Sequence, residues 1–292
     1  MDEPGGPGSA PGWRILHPTD FSEASEGAFV HALKLALAMQ GRLHVLHVSS
    51  DAGPVRWRSF PGVREALERW GVLPAGSPPE AVADLGIEVV KVEAVGDDPV
   101  VATHEFLQTH PAELIVLATH QRDGLARWRE PSVAERIARQ AHQVTLFVPG
   151  GTGGFVEAVS GRIRLERVLI PVDRVPAPQP AVEAAAALAS LQGRTPVTFR
   201  MVHAGGAEFP AVMIHDKPGW TWERRALAGE APTALGEAIS AFDPDLLVMT
   251  TAGHHGFMDA LRGSTTERVL RATPCPLLAV SVSARLPRLV WR

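Results

Sequence analysis

Two aspartates and two glycine-bearing loops carry most of the chemistry this chain offers. Asp20 closes the run Ile15-Leu16-His17-Pro18-Thr19-Asp20, and Asp173 closes Val168-Leu169-Ile170-Pro171-Val172-Asp173. Each follows a short apolar segment that reads as a strand, so each carboxylate stands at a strand end. Farther along each half, another apolar run leads into a loop, 120–131 in the first half and 252–263 in the second. The second loop holds Gly253, Gly256 and Gly263, followed by Ser264 and Thr265. Glycine lets backbone approach an anion closely, and amides at a helix start point toward phosphate oxygens. The first loop keeps Gly124 and Ser132 but has Gln121 and Pro131 where the second has Gly253 and Gly263. Proline removes an amide donor and glutamine adds bulk, so a phosphate is expected to fit the first loop poorly. A second role competes for the serines. Glu135 and Glu267 follow Ser132 and Ser264 by three residues, the pattern of a reciprocal helix cap. Asp20 and Asp173 can likewise cap whatever follows them. Anion binding and capping both stay open.

Other reactive side chains have bland explanations. His254-His255, His203 and His215-Asp216 invite a metal, yet no Cys/His spacing of a zinc site accompanies them, and no metal site is expected. No Gly-x-Ser-x-Gly occurs. Asp97-Asp98 precede a Pro-started helix, where negative charge suits the dipole. Cys275 lies between two prolines ahead of an apolar strand and reads as packing. No catalytic residue is expected.

The elements that must position these groups come twice. Val116 to Pro149 laid over Val248 to Ser281 without a gap gives nine identities in thirty-four positions, among them Thr119/Thr251, Gly124/Gly256 and Ser132/Ser264. The strand-and-aspartate blocks correspond as well, so each half is one copy of a fold. Strand-like runs fall at 14–17, 43–48, 87–95, 114–118 and 144–148, and again at 167–172, 197–203, 222–227, 246–251 and 277–282. Amphipathic helical spacing covers 23–39, 63–70, 99–109, 132–141, 180–191, 231–242 and 264–272. Residues 205–219 are too short and too rich in Pro and Gly for a full crossover helix and read as an extended loop. Strand–helix alternation predicts an α/β fold: two tandem doubly wound parallel five-stranded sheets, Rossmann-like, strand order 3-2-1-4-5, helices on both faces. The domains fall at 13–149 and 165–283, with a flexible glycine-rich linker over 150–164. In such sheets ligands bind beyond the strands' carboxyl ends where the order reverses. That rule puts Pro18-Thr19-Asp20 and Pro171-Val172-Asp173 on one side of two crevices and the glycine loops on the other.

Bulk properties narrow the partners. The 292 residues suit two domains, with 45% hydrophobic and 21% charged residues. A net charge of -4 gives no electrostatic case for nucleic acid or an anionic membrane. No run approaches the roughly 18 apolar residues of a membrane span. The single cysteine suits a reducing compartment, so the expected location is cytoplasmic.

Ile15 to Glu23 resembles the opening strand and turn of universal stress proteins, and Leu46-His47-Val48 resembles the end of their second strand. Val248-Met249-Thr250-Thr251 with Gly253-x2-Gly256 and Gly263-Ser264 resembles their nucleotide loop, and Pro274 to Val280 their closing strand. The resemblance implies a stress-responsive regulator that binds ATP or another adenine nucleotide, with or without Mg, without clear catalysis beyond at most slow ATP hydrolysis. It carries the nucleotide contacts onto Pro171, Val172, Asp173, Gly253, Gly256, Gly263, Ser264 and Thr265, with the aspartate at the adenine and the loop at ribose and phosphates. The second loop has six residues between Gly256 and Gly263 where the ATP-type pattern has nine. In the first half a vestigial site would comprise Thr19, Asp20, Val48, Gly124 and Ser132. The alternative within the family is a ligand-free structural or signalling module acting through dimerisation and protein partners. Family members commonly pair through the fifth strand. Here 144–148 and 277–282 are expected to pair within the chain as a pseudo-dimer, leaving a homodimer open.

Overall fold

In the computed structural model the described residues are 12–51, 53–54, 57–119, 132–141, 143–151, 154–205, 208–251 and 273–282. The first half runs β1 (Arg14–Pro18), α1 (Glu23–Met39), β2 (Arg42–Ser49), α2 (Val63–Arg69), β3 (Glu88–Val95), α3 (Pro99–Thr109), β4 (Leu114–Thr119), α4 (Val133–Ala141) and β5 (Val144–Pro149). The second runs β6 (Arg167–Pro171), α5 (Gln179–Ser190), β7 (Val197–Ala204), β8 (Trp220–Leu227), α6 (Ala231–Phe242), β9 (Leu246–Thr251) and β10 (Leu277–Ser281). Helix starts follow local chemistry. Ser22 accepts the Ser25 N–H ahead of α1, and Asp98 accepts the Val100 N–H ahead of α3, whose first residue is proline. The helix expected at 264–272 lies outside the described residues. No helix is described across 208–219, which is an extended strap in place of a crossover helix.

The strand order is β3-β2-β1-β4-β5-β10-β9-β6-β7-β8. Each half keeps the order 3-2-1-4-5, and the expected pairing of the two fifth strands joins the five-stranded sheets into one of ten strands. The seam is antiparallel: Thr145, Leu146 and Phe147 face Ala279, Leu278 and Leu277. Every other ladder in the sheet is parallel. The seam forms because both fifth strands are apolar on both faces and buried throughout. The cluster on the α1/α5 face draws residues from both halves, including Val148, Phe155, Val168 and Val280.

The connection between halves departs from its composition. Glycine content implies flexibility over 150–164, but from Gly154 onward the chain is packed. Val156 bridges Ile163 antiparallel, and the Arg164 N–H donates to the Phe155 carbonyl at 2.8 Å, making a small hairpin. Phe155, Val156, Ile163 and Leu165 are buried. Arg69 and Trp70 both donate to the Ala158 carbonyl, at 3.2 and 3.0 Å. At the far end, the Gln192 side chain accepts the Leu165 N–H and donates to the Leu165 carbonyl. Four apolar side chains had a core to enter, and that outweighed the freedom of the glycines.

Candidate functional site

At the centre of each half the sheet splits. β1 registers with β2 over five residues but with β4 over only two, Ile15–Leu114 and Leu16–Ile115. β6 registers with β7 over five and with β9 over two, Val168–Leu246 and Leu169–Leu247. Beyond those rungs the paired strands part toward their carboxyl ends, at the point where strand order reverses.

The tip of each split is built alike. The Thr19 N–H donates to the Leu46 carbonyl, and the Val172 N–H to the Val202 carbonyl, both at 2.8 Å. A histidine then folds back over each turn. His47 Nδ1 donates to the Thr19 carbonyl and His203 Nδ1 to the Val172 carbonyl, both at 2.9 Å. These hydrogen bonds fix the turn that carries Asp20 or Asp173. Both aspartates are exposed. Asp20 Oδ1 accepts the Ser22 N–H at 3.0 Å, and Asp173 Oδ1 accepts the Arg174 N–H at 2.7 Å. Pro171 is half-buried and Val172 buried, while Val48 packs at the edge of the core on the opposite face of the sheet.

The two splits differ in what fills them. In the first, buried His17 reaches across and donates from Nδ1 to the Val116 carbonyl at 2.9 Å. Its Nε2 lies 3.5 Å from Ser25 Oγ, which donates to Thr19 Oγ1 at 2.8 Å. Burial pushes the His17 imidazole down to about 4, so it is neutral at physiological pH. Phe21, with a left-handed φ of 62°, stacks on His47 at 4.0 Å, and Phe60 meets both rings edge-on. In the second split the positions matching His17 and Phe21 are Ile170 and Arg174. The Arg174 guanidinium turns to Glu208. Thr250 Oγ1 accepts the Ala181 N–H at 3.3 Å, tying the start of α5 to the end of β9.

Ser132 takes up the capping role. Its Oγ accepts the Glu135 N–H while Glu135 accepts the Ser132 N–H, each at 3.2 Å. Gly124, Gly253, Gly256, Gly263, Ser264, Thr265 and the His254-His255 pair lie outside the described residues. Among the described residues no group of three His, Cys, Asp or Glu is placed to hold a metal. The Cys275 thiol is buried and pushed up to about 12, which leaves it inert. His17, Ser25 and His47 escaped the sequence reading as site residues, because a polar side chain within a strand or helix gives no sign of where it points.

The universal stress protein family model matches residues 13–149 and 211–281. The chain belongs to the universal stress protein family. A universal stress protein of Methanocaldococcus jannaschii is 29% identical over 138 residues, spanning 46% of this chain and 81% of the relative. Among solved structures, a universal stress protein from Archaeoglobus fulgidus superposes with a TM-score of 0.59 at 18% identity, over 92% of this chain and 98% of that one. A Pseudomonas aeruginosa protein gives 0.58 at 16% identity over 92% and 93%. At these identities the likeness is one of fold. Both span nearly the whole length of this universal stress protein, so the doubled architecture is shared. No helix among its described residues is long and apolar enough to cross a membrane.

Proposed function

We propose that this universal stress protein is a non-catalytic regulator that binds one adenine nucleotide per chain, in the split between β6 and β9. Asp173 reads the base, and the Gly253–Thr265 loop meets ribose and phosphates. The supporting observation is the contrast between the splits. In the first, His17 spans the gap and Phe21 covers His47. In the second, Ile170 makes no such bridge, Arg174 turns outward, and the exposed Asp173 carboxylate has only the Arg174 N–H as partner among the described residues. A carboxylate so placed is available to an exocyclic amine, and hydrogen bonds to a charged group contribute about 1.5–3 kcal/mol.

Calorimetric titration of the intact protein with ATP, ADP and AMP, with and without Mg, tests this. One site per chain is expected, weakened about 10- to 100-fold by Asp173→Ala. Two equal sites, or binding indifferent to that substitution, would overturn it. No heat with any nucleotide would favour the ligand-free structural module, which the internal β5–β10 seam supports. ADP accumulation above a Gly263→Ala/Ser264→Ala control would instead indicate slow hydrolysis.

A further inference from the structure

The hairpin joining the halves is held at its entrance by one side chain. His31 lies on the buried face of α1, and its ring is bonded at both nitrogens. Nδ1 is 2.8 Å from the Gly27 carbonyl, one turn earlier, and Nε2 is 3.2 Å from the Val156 amide nitrogen. A carbonyl only accepts and an amide N–H only donates, so the partners fix the tautomer: proton on Nδ1, lone pair on Nε2. Phe155 meets the ring edge-on at 4.7 Å. Gly154 passes so close, with a left-handed φ of 61°, that a Cβ there would overlap the imidazole.

We infer that this hairpin is a protonation-sensitive latch between the halves, held shut by neutral His31 and released when the ring takes up a proton. An imidazolium has N–H groups on both sides. Nε2–H would then face the Val156 N–H, turning an attraction into donor against donor inside a dry site. Among the described residues no compensating charge acts on the ring. From α1 the ring meets only the Gly27 carbonyl, and from the hairpin Phe155 and Val156. At the turn before β10, Pro276 packs near Gly154. The charges on these elements lie elsewhere: Glu23, Glu26, Arg164 and Glu166 are exposed, Lys34 lies over the Trp70 ring, and Arg162 pairs with Glu157. Burial accordingly pushes His31 down to about 4, opposed among the described residues by the Gly27 carbonyl alone. The Glu157 carboxyl is held below its usual range by Arg162 and Ser160, which keeps the hairpin's own ion pair with Arg162 in place at mildly acid pH. Release would bare the apolar strip now covered by Phe155, Val156 and Ile163.

Hydrogen exchange on the full chain tests the latch, with rates at pH 7, 5.5 and 4.5 normalised to the unprotected chain. Protection of the Val156 amide and the rest of the hairpin is expected to fall by about tenfold per pH unit below 6.5, while β5 and β10 stay protected. His31→Gln, which can still donate and accept but does not titrate, is expected to remove that pH dependence. Gly154→Ala is expected to lose hairpin protection already at pH 7, which gives a second reading should His31→Gln not fold. Equal hairpin protection at pH 7 and 4.5 would overturn the inference. So would loss only together with β5 and β10, or an unchanged pH dependence in His31→Gln.

Discussion

Two histidines in the first half are stored neutral, and each makes the fold sensitive to acid. His17 and His31 are fully buried, with burial the leading cause of a folded value of about 4 against 6.5 for the free side chain. In that case the unfolded chain binds protons first. Stability is complete above pH 6.5, declines as pH falls from 6.5 to 4, and loses nothing further from these groups below that. The interval of about 2.5 pH units corresponds to about 3 kcal/mol for each histidine. Urea denaturation at a series of pH values is expected to reveal this slope, and His17→Gln to remove roughly half of it. A midpoint constant between pH 6.5 and 4.5 would contradict it. The same residue shows why the site was only partly legible. His17 sits in the motif that reveals the family, yet its neighbours in sequence do not say that it crosses to Val116, ninety-nine positions away.

Among the elements, those with a strong period were plain in the sequence. α1, α3 and α6 have the bounds that apolar spacing and their first residues imply, and the strap at 208–219 follows from its prolines and shortness. β8 begins at Trp220, two residues earlier than alternation suggested, because Trp220 itself packs edge-on to Phe199. The connector was the misleading element. Its glycines signal local freedom, while the alternation Phe155-Val156 and Ile163-x-Leu165 on either side of Gly161 was the overlooked sign of a hairpin. Gly161 is one of its close fits: its φ is 64°, and a Cβ would overlap the Trp70 ring. Gly161→Ala is expected to cost about 1–3 kcal/mol, from the crowding and the left-handed backbone together. An unchanged thermal midpoint would refute that close packing.

Across the whole molecule, the seam and the shared core make the halves one folding unit. The α1/α5-face cluster runs through both, and β5 and β10 supply each other's hydrogen bonds. Denaturation is therefore expected to give one transition, followed alike through Trp13 and Trp70 in the first half and Trp220 and Trp222 in the second. Two separated midpoints would mean that the seam opens before either half melts. The antiparallel sense of that seam also fixes an orientation. Strands to its left run one way and strands to its right the other, so the Asp20 and Asp173 corners look out from opposite rims of the sheet. No single small molecule can touch both. Anything gripping the Asp173 rim leaves the other rim uncovered, which gives the molecule two poles, one bearing the exposed Asp173 carboxylate and one where His17 and Phe21 occupy the split.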